Sequence, residues 1–190
     1  MGSGSSLSST ELLLHNHFKS TWHSWVDLPA PVRGHCLVRL NTSHVFLTGG
    51  KYRDSDNSPA SYIYSRATGF TRQGDMSVAR LSHACALHGD QVWVAGGFHG
   101  AVSTSEYFSL ATSTWLPGPG LPSPTLGARL ITVDEKLTLI GNDKKIWQLE
   151  TTELDDVDGW TWVKVGEMQN RRSLFDVIKM KEKDCINWSV

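Results

Sequence analysis

Val92-Trp93-Val94-Ala95-Gly96-Gly97-Phe98-His99-Gly100 is an apolar, strand-like run that ends in a cluster of glycines. Such a junction suits either a loop that cradles phosphate or a tight turn that releases a strand end. A cousin, Val45-Phe46-Leu47-Thr48-Gly49-Gly50, lies earlier in the chain. A degenerate copy, Leu137-Thr138-Leu139-Ile140-Gly141-Asn142, lies later. The three glycine steps are 47 and 45 residues apart. Neither G-x-x-x-x-G-K-[ST] nor G-x-G-x-x-G is present, and no stretch of helical period follows to offer an anion its N-terminus. Gly49, Gly50, Gly96, Gly97 and Gly141 therefore read as structural: they permit positive φ and let neighbouring backbone come close.

Other markers keep the same period. An aromatic follows each turn-rich segment at Trp22, Phe70, Trp115 and Trp162, in steps of 48, 45 and 47 residues. Leu28, Met76 and Met168 form a third series, with gaps of 48 and 92. Within the best copy, His83–Leu87, Gln91–Ala95, the stretch around Ser105–Ser109, and Thr114–Leu116 alternate with turn signals. Four short strands in about 47 residues, with no helix between them, predict one blade of a propeller.

The order Met76…Arg80…His83, then Val92 to Gly97, then Glu106-Tyr107 and Trp115, resembles a kelch repeat. A first copy, Leu28 to Phe70, carries Arg33, His35, Gly49-Gly50, Tyr62 or Tyr64, and Phe70 in place of Trp. A third, Pro122 to Trp162, keeps Gly141 and the Trp but loses the second glycine and the Tyr107 position. The resemblance implies an all-β fold, a β-propeller of four-stranded antiparallel blades. The expected organisation is a Gly/Ser-rich tail over 1–10, blades over 28–75, 76–121 and 122–166, and a composite or partial blade from 167–190 with 11–26. That makes about four blades, as a small closed ring or part of a larger propeller, with association between chains open if the ring is incomplete.

Composition narrows the function classes. The 190 residues carry a formal net charge of −1 and 19% charged residues, so a nucleic-acid or anionic-membrane surface is not implied. No apolar run approaches the roughly 20 residues of a membrane span. Cys36, Cys85 and Cys185 form no C-x-x-C pair and are expected as free thiols, packed where they lie on innermost strands, in an intracellular, cytoplasmic setting. Met1-Gly2 opens a loose myristoylation pattern that a flexible tail also satisfies.

In an up-and-down blade, the loop after the second strand shares a rim with the connection into the next blade. Arg33, His35, Lys51, Tyr52, Arg53, Asp54, Arg80, His83, Phe98, His99 and Asn142 are expected on it. Basic and aromatic groups together suit an acidic or polar peptide segment of a protein partner, and kelch resemblance implies such docking. The competing reading has Arg33 and Arg80 tying adjacent blades together. His35 and His83 offer an alternative, a small propeller enzyme or metal-binding protein using the central channel, but spacing supplies no third ligand, so neither metal nor cofactor is expected. A degenerate copy without activity is the third reading. Glu153, Asp155, Asp156 and Asp158 read as a solvated loop before Trp160. Many kelch chains carry a BTB domain that recruits a ubiquitin ligase; here that role would need a longer parent chain.

Overall fold

The computed structural model describes residues 11–15, 20–24, 26–30, 32–52, 56–98, 102–154, 157–172 and 175–177. Among these every regular element is a strand. Three four-stranded antiparallel sheets follow one another along the chain. The first is β3 (Cys36–Arg39), β4 (His44–Thr48), β5 (Ser61–Ser65) and β6 (Gly69–Arg72). The second is β7 (Ala84–His88), β8 (Gln91–Ala95), β9 (Ser105–Ser109) and β10 (Thr114–Pro117). The third is β11 (Arg129–Val133), β12 (Lys136–Ile140), β13 (Lys145–Leu154) and β14 (Val157–Glu167). Each is a meander, and the predicted blades are these sheets. A separate two-stranded sheet pairs β1 (Glu11–His15) with β2 (Ser20–Ser24). Gly2, Cys185 and the 178–190 part of the expected composite blade lie outside the described residues.

Period-two alternation gives every blade two apolar faces, and the blades stack through them. Val38 and Phe46 of the first blade meet Val92 and Phe108 of the second, with Ile63, Leu87 and Trp115 packed around. The rings of Phe46 and Phe108 lie 4.9 Å apart, and Trp115 meets both edge-on. The opposite face of the second blade, Ala84, Trp93 and Ala95, meets Ala128, Leu130, Leu137, Leu139 and Trp162 of the third. Tyr107 stacks on Trp93 at 4.8 Å, and Trp160 closes on both rings. The hydrophobic core is thus two interblade seams.

The glycine pairs sit where the blades touch. Gly49, Gly50, Gly96 and Gly97 all have positive φ. A Cβ on Gly49 would come 2.6 Å from the Arg80 carbonyl oxygen, and one on Gly96 would collide with that of Thr125. The neighbouring amides use this proximity: Gly50 donates to the Arg80 carbonyl at 2.7 Å and Gly97 to that of Thr125 at 2.9 Å. A second belt runs closer to the channel, where the Ser82 amide donates to Gly34 at 2.8 Å and the Gly127 amide to Ser82 at 3.4 Å. These three residues share left-handed backbone, with φ of 64°, 52° and 64° in chain order.

Three expectations change. Cys36 and Cys85 are not free thiols: they form a disulfide between the innermost strands β3 and β7. Sequence spacing cannot show that their side chains face one another across the first seam. The acidic segment is not a long loop, since β13 and β14 pair Glu153 with Asp158 and leave only two residues between the strands. Last, the bridges Arg33↔Lys51 and Leu81↔Phe98 align Arg33 with Leu81. Val32, not Arg33, therefore occupies the Arg80 position.

Candidate functional site

In the first two blades the lead-in crosses the loop after the blade's second strand, so both meet on one rim. Arg33 exchanges amide hydrogen bonds with Lys51 at 3.1 and 2.9 Å, and Phe98 donates to Leu81 at 2.7 Å. The loops that build the rim differ in length: residues 49–60 in the first blade, 96–104 in the second, and only 141–144 in the third. The loop over the third blade is thus the shortest of the three.

Over the first seam the two strips join. Leu81 lies against Gly34, where a Cβ would strike it, and the Asn57 side-chain amide donates to the Phe98 carbonyl. Arg33 is exposed and Lys51 half-buried, and no described carboxylate forms an ion pair with either. Phe98 is 53% exposed and Leu126, on the third blade, 41%. Two cations, Arg33 and Lys51, and the exposed Phe98 are thus joined through Asn57 at one seam. Tyr52 is half-buried, its hydroxyl 3.4 Å from that of Ser58. Burial first, and then the Tyr52 hydroxyl, raise the neighbouring Tyr62 phenol above its ordinary value. Asn142 lies in the short turn of the third blade, which Asp143 closes by accepting from the Lys145 amide at 3.2 Å. Arg53, Asp54 and His99 lie outside the described residues.

Arg80 and His83 are elsewhere. Arg80 is fully buried and its guanidinium is spent inside the second blade. It donates to the carbonyls of Gly96 and Thr104 at 2.8 and 2.9 Å, to the Thr104 hydroxyl at 2.8 Å, and to Glu106 at 2.8 and 3.3 Å. Glu106, 3% exposed, also accepts the amides of Ser77 and Val78. Burial lowers the Arg80 pKa from its ordinary value, with Glu106 opposing. The Arg80 side chain thus braces its own blade, and only its backbone carbonyl, accepting from Gly50, ties it to the first blade, while Arg33 stays at the surface. Sequence reading named Glu106 only as a repeat marker beside Tyr107 and missed its pairing with Arg80; its one signal is a carboxylate next to the aromatic pair Tyr107-Phe108 in a short strand.

His83 is 4% exposed, and its Nε2 lies 2.7 Å from the Thr48 hydroxyl, while its Nδ1 has no partner. Burial, then the Arg80 and His35 charges, push its pKa down to about 3, so the ring is neutral at ordinary pH. Burial also lowers that of His35, which is half-buried. Both histidines, with Cys36, Cys85, Leu37, Arg129 and Asp176, line a cavity of about 420 Å³ between the innermost strands. Arg129 pairs with Asp176 at 3.3 Å. Among the described residues, no three His, Cys, Asp or Glu side chains are placed to hold one metal ion.

The kelch motif family matches residues 79–122, the second blade with its lead-in. Alpha-scruin of Limulus polyphemus is 24% identical over 153 residues, covering 75% of this chain and 17% of that protein. Kelch-like protein 40 of Mus musculus is 25% identical over 153 residues, covering 77% of this chain and 24% of that one. Residues 79–122 carry a kelch motif, and the chain resembles kelch-repeat proteins at low identity. It spans a quarter or less of the length of these curated relatives. Among solved structures, that of YjhT superposes on the kelch blades with a TM-score of 0.70 at 13% identity, covering 85% of this chain and 60% of that one. That likeness shows the fold. The family match falls on the blade that keeps every marker: double glycine, Tyr107, Trp115, and a buried Arg80–Glu106 pair.

Proposed function

We propose that this chain is a non-enzymatic protein-interaction module that presents the rim over its first two blades to a partner protein. The observation that carries this is the surface at the first seam, where Arg33 and Lys51, free of carboxylate partners among the described residues, are linked through the Lys51–Asn57 bridge and the Asn57–Phe98 hydrogen bond to the half-exposed Phe98. A guanidinium and an ammonium recognise carboxylates, and an exposed aromatic supplies the apolar anchor typical of interface hot spots. The partner is an acidic or polar peptide segment with a large apolar side chain beside its carboxylate. Tyr52, Arg53 and His99 belong to the loops that carry this surface, whereas His35 lines the inner cavity and Asn142 lies in the third blade's turn. The Leu81–Phe98 strip extends the set. An intracellular, cytoplasmic setting belongs to the same proposal.

The test is binding to an array of acidic peptides in low and moderate salt. Phe98→Ala and Lys51→Glu should each weaken capture at least tenfold at unchanged melting temperature, and added salt should weaken it further. Binding that survives both substitutions contradicts the rim. We also propose that β1 and β2, with the chain beyond Met168, complete a fourth blade. Kelch-type sheets leave apolar faces that the next blade must cover, and Phe175 and Asp176 already follow the third blade against Arg129.

A second reading, catalysis or metal binding at His35 and His83, draws on their shared cavity. Elemental analysis of the purified protein separates the two: a stoichiometric metal lost on His83→Gln would favour the channel.

A further inference from the structure

We infer that Cys36 and Cys85 form a thiol-exchange site, a pair that small thiols reach through the central cavity and open reversibly in the folded protein. Three observations meet here. The bond joins the innermost strands of two successive blades, residues 49 apart in sequence. Both cysteines are half-buried, and both line the cavity of about 420 Å³, which has room for a small thiol. The same wall carries the Arg129 guanidinium, paired with the 90%-exposed Asp176, and the two uncharged imidazoles of His35 and His83. A positive charge near a sulfur stabilises its thiolate and so makes it a better leaving group.

The exchange runs in two balanced steps. A thiolate of a small monothiol attacks one sulfur of the pair, forming a mixed disulfide and expelling the other cysteine as thiolate, which takes up a proton. A second monothiol attacks the mixed disulfide, releasing the remaining cysteine and leaving as the oxidised dimer. Two electrons pass from two monothiols to the protein, and the reverse sequence reseals it. The blades stay together on reduction, because Phe46, Phe108 and Trp115 and the Gly50–Arg80 and Ser82–Gly34 amide bonds hold the same seam. What is lost is the covalent closure of a loop of about 50 residues, whose release should lower the melting midpoint by on the order of 10 °C. None of this depends on the rim having a partner.

The experiment uses the full chain with Cys185→Ser, so that only the pair reports. Oxidised protein is equilibrated in graded mixtures of reduced and oxidised glutathione, trapped with iodoacetamide without denaturant, and mapped by peptide mass spectrometry, with a melt at each step. The expected result is a linked Cys36–Cys85 peptide that gives way to two alkylated peptides over one midpoint, with a parallel fall in melting temperature and full recovery on returning to oxidised glutathione. Three outcomes overturn the inference. The peptide stays linked until denaturant is added; both cysteines are alkylated in fully oxidised protein; or the melting temperature of Cys36→Ser/Cys85→Ser responds to glutathione as strongly as that of its parent.

Discussion

Arg80 is a cation with nowhere to go but Glu106. Both are buried, five donor contacts satisfy the guanidinium, and the carboxylate takes two backbone amides besides. Removing one member of such a pair leaves the other charge stranded, which typically costs about 3–5 kcal/mol. Glu106→Gln should lose about that much in urea denaturation, and Arg80→Met with Glu106→Leu should recover part of it. Arg80→Ala is for this reason no probe of binding. Ser82 is the other residue under local constraint, holding at φ 52° a position that glycine fills in the neighbouring blades. Left-handed backbone costs an L-residue about 1–2 kcal/mol, so Ser82→Gly should raise stability by about 0.5–1 kcal/mol once the added chain entropy is deducted. His83 carries the pH dependence. Its folded pKa is depressed to about 3, so above pH 6.5 it is neutral whether folded or not, and no stability is at stake. As pH falls below 6.5 the unfolded chain takes the proton that the folded one refuses. Stability therefore declines from pH 6.5 towards 3, by about 2 kcal/mol at pH 5. Melting curves of His83→Gln should lack that part of the decline.

At the scale of elements, the strands and their alternation were legible because period-two patterning and the 45–48-residue recurrence state them directly. Gln91–Ala95 and Ser105–Ser109 are strands at their expected bounds. The seams were less legible. Which apolar face meets which depends on a second blade, so the Cys36–Cys85 bond and the cradle that Glu106 makes for Arg80 are products of stacking. The one-residue offset between Arg33 and Arg80 has the same origin: Arg33 and His35 are two apart, Arg80 and His83 three, and only the amide bridges decide the alignment. The rim residues were named because loops follow strands predictably, but the difference in loop length between the blades shows only once the short Gly141–Lys144 turn is seen. Trp115 shows what the fourth-strand aromatic does. Its indole donates to the Gly74 carbonyl at 2.9 Å across the first seam, and Phe70 at the corresponding place has no such donor. Trp115→Phe should keep the ring packing against Phe46 and Phe108 and lose about 1 kcal/mol, measured by denaturant midpoint.

For the whole molecule, stacked blades divide the labour between faces. Among the described residues, apolar faces make the two seams and the innermost strands line the cavity, and the rim is the surface proposed to carry recognition. That division is why the double glycine of "VWVAGGFHG" is structural while Phe98, directly after it, stands half exposed above the seam. The measurement that tests this most directly is photo-crosslinking in cell extract with a benzoylphenylalanine placed at Phe98 and, separately, at Leu116, which is exposed on the outer strand β10. Crosslinked protein should form at Phe98, be competed by acidic peptide and vanish with Lys51→Glu, while Leu116 gives none. Equal crosslinking at both positions, or crosslinking at Leu116 alone, would contradict a partner-binding rim.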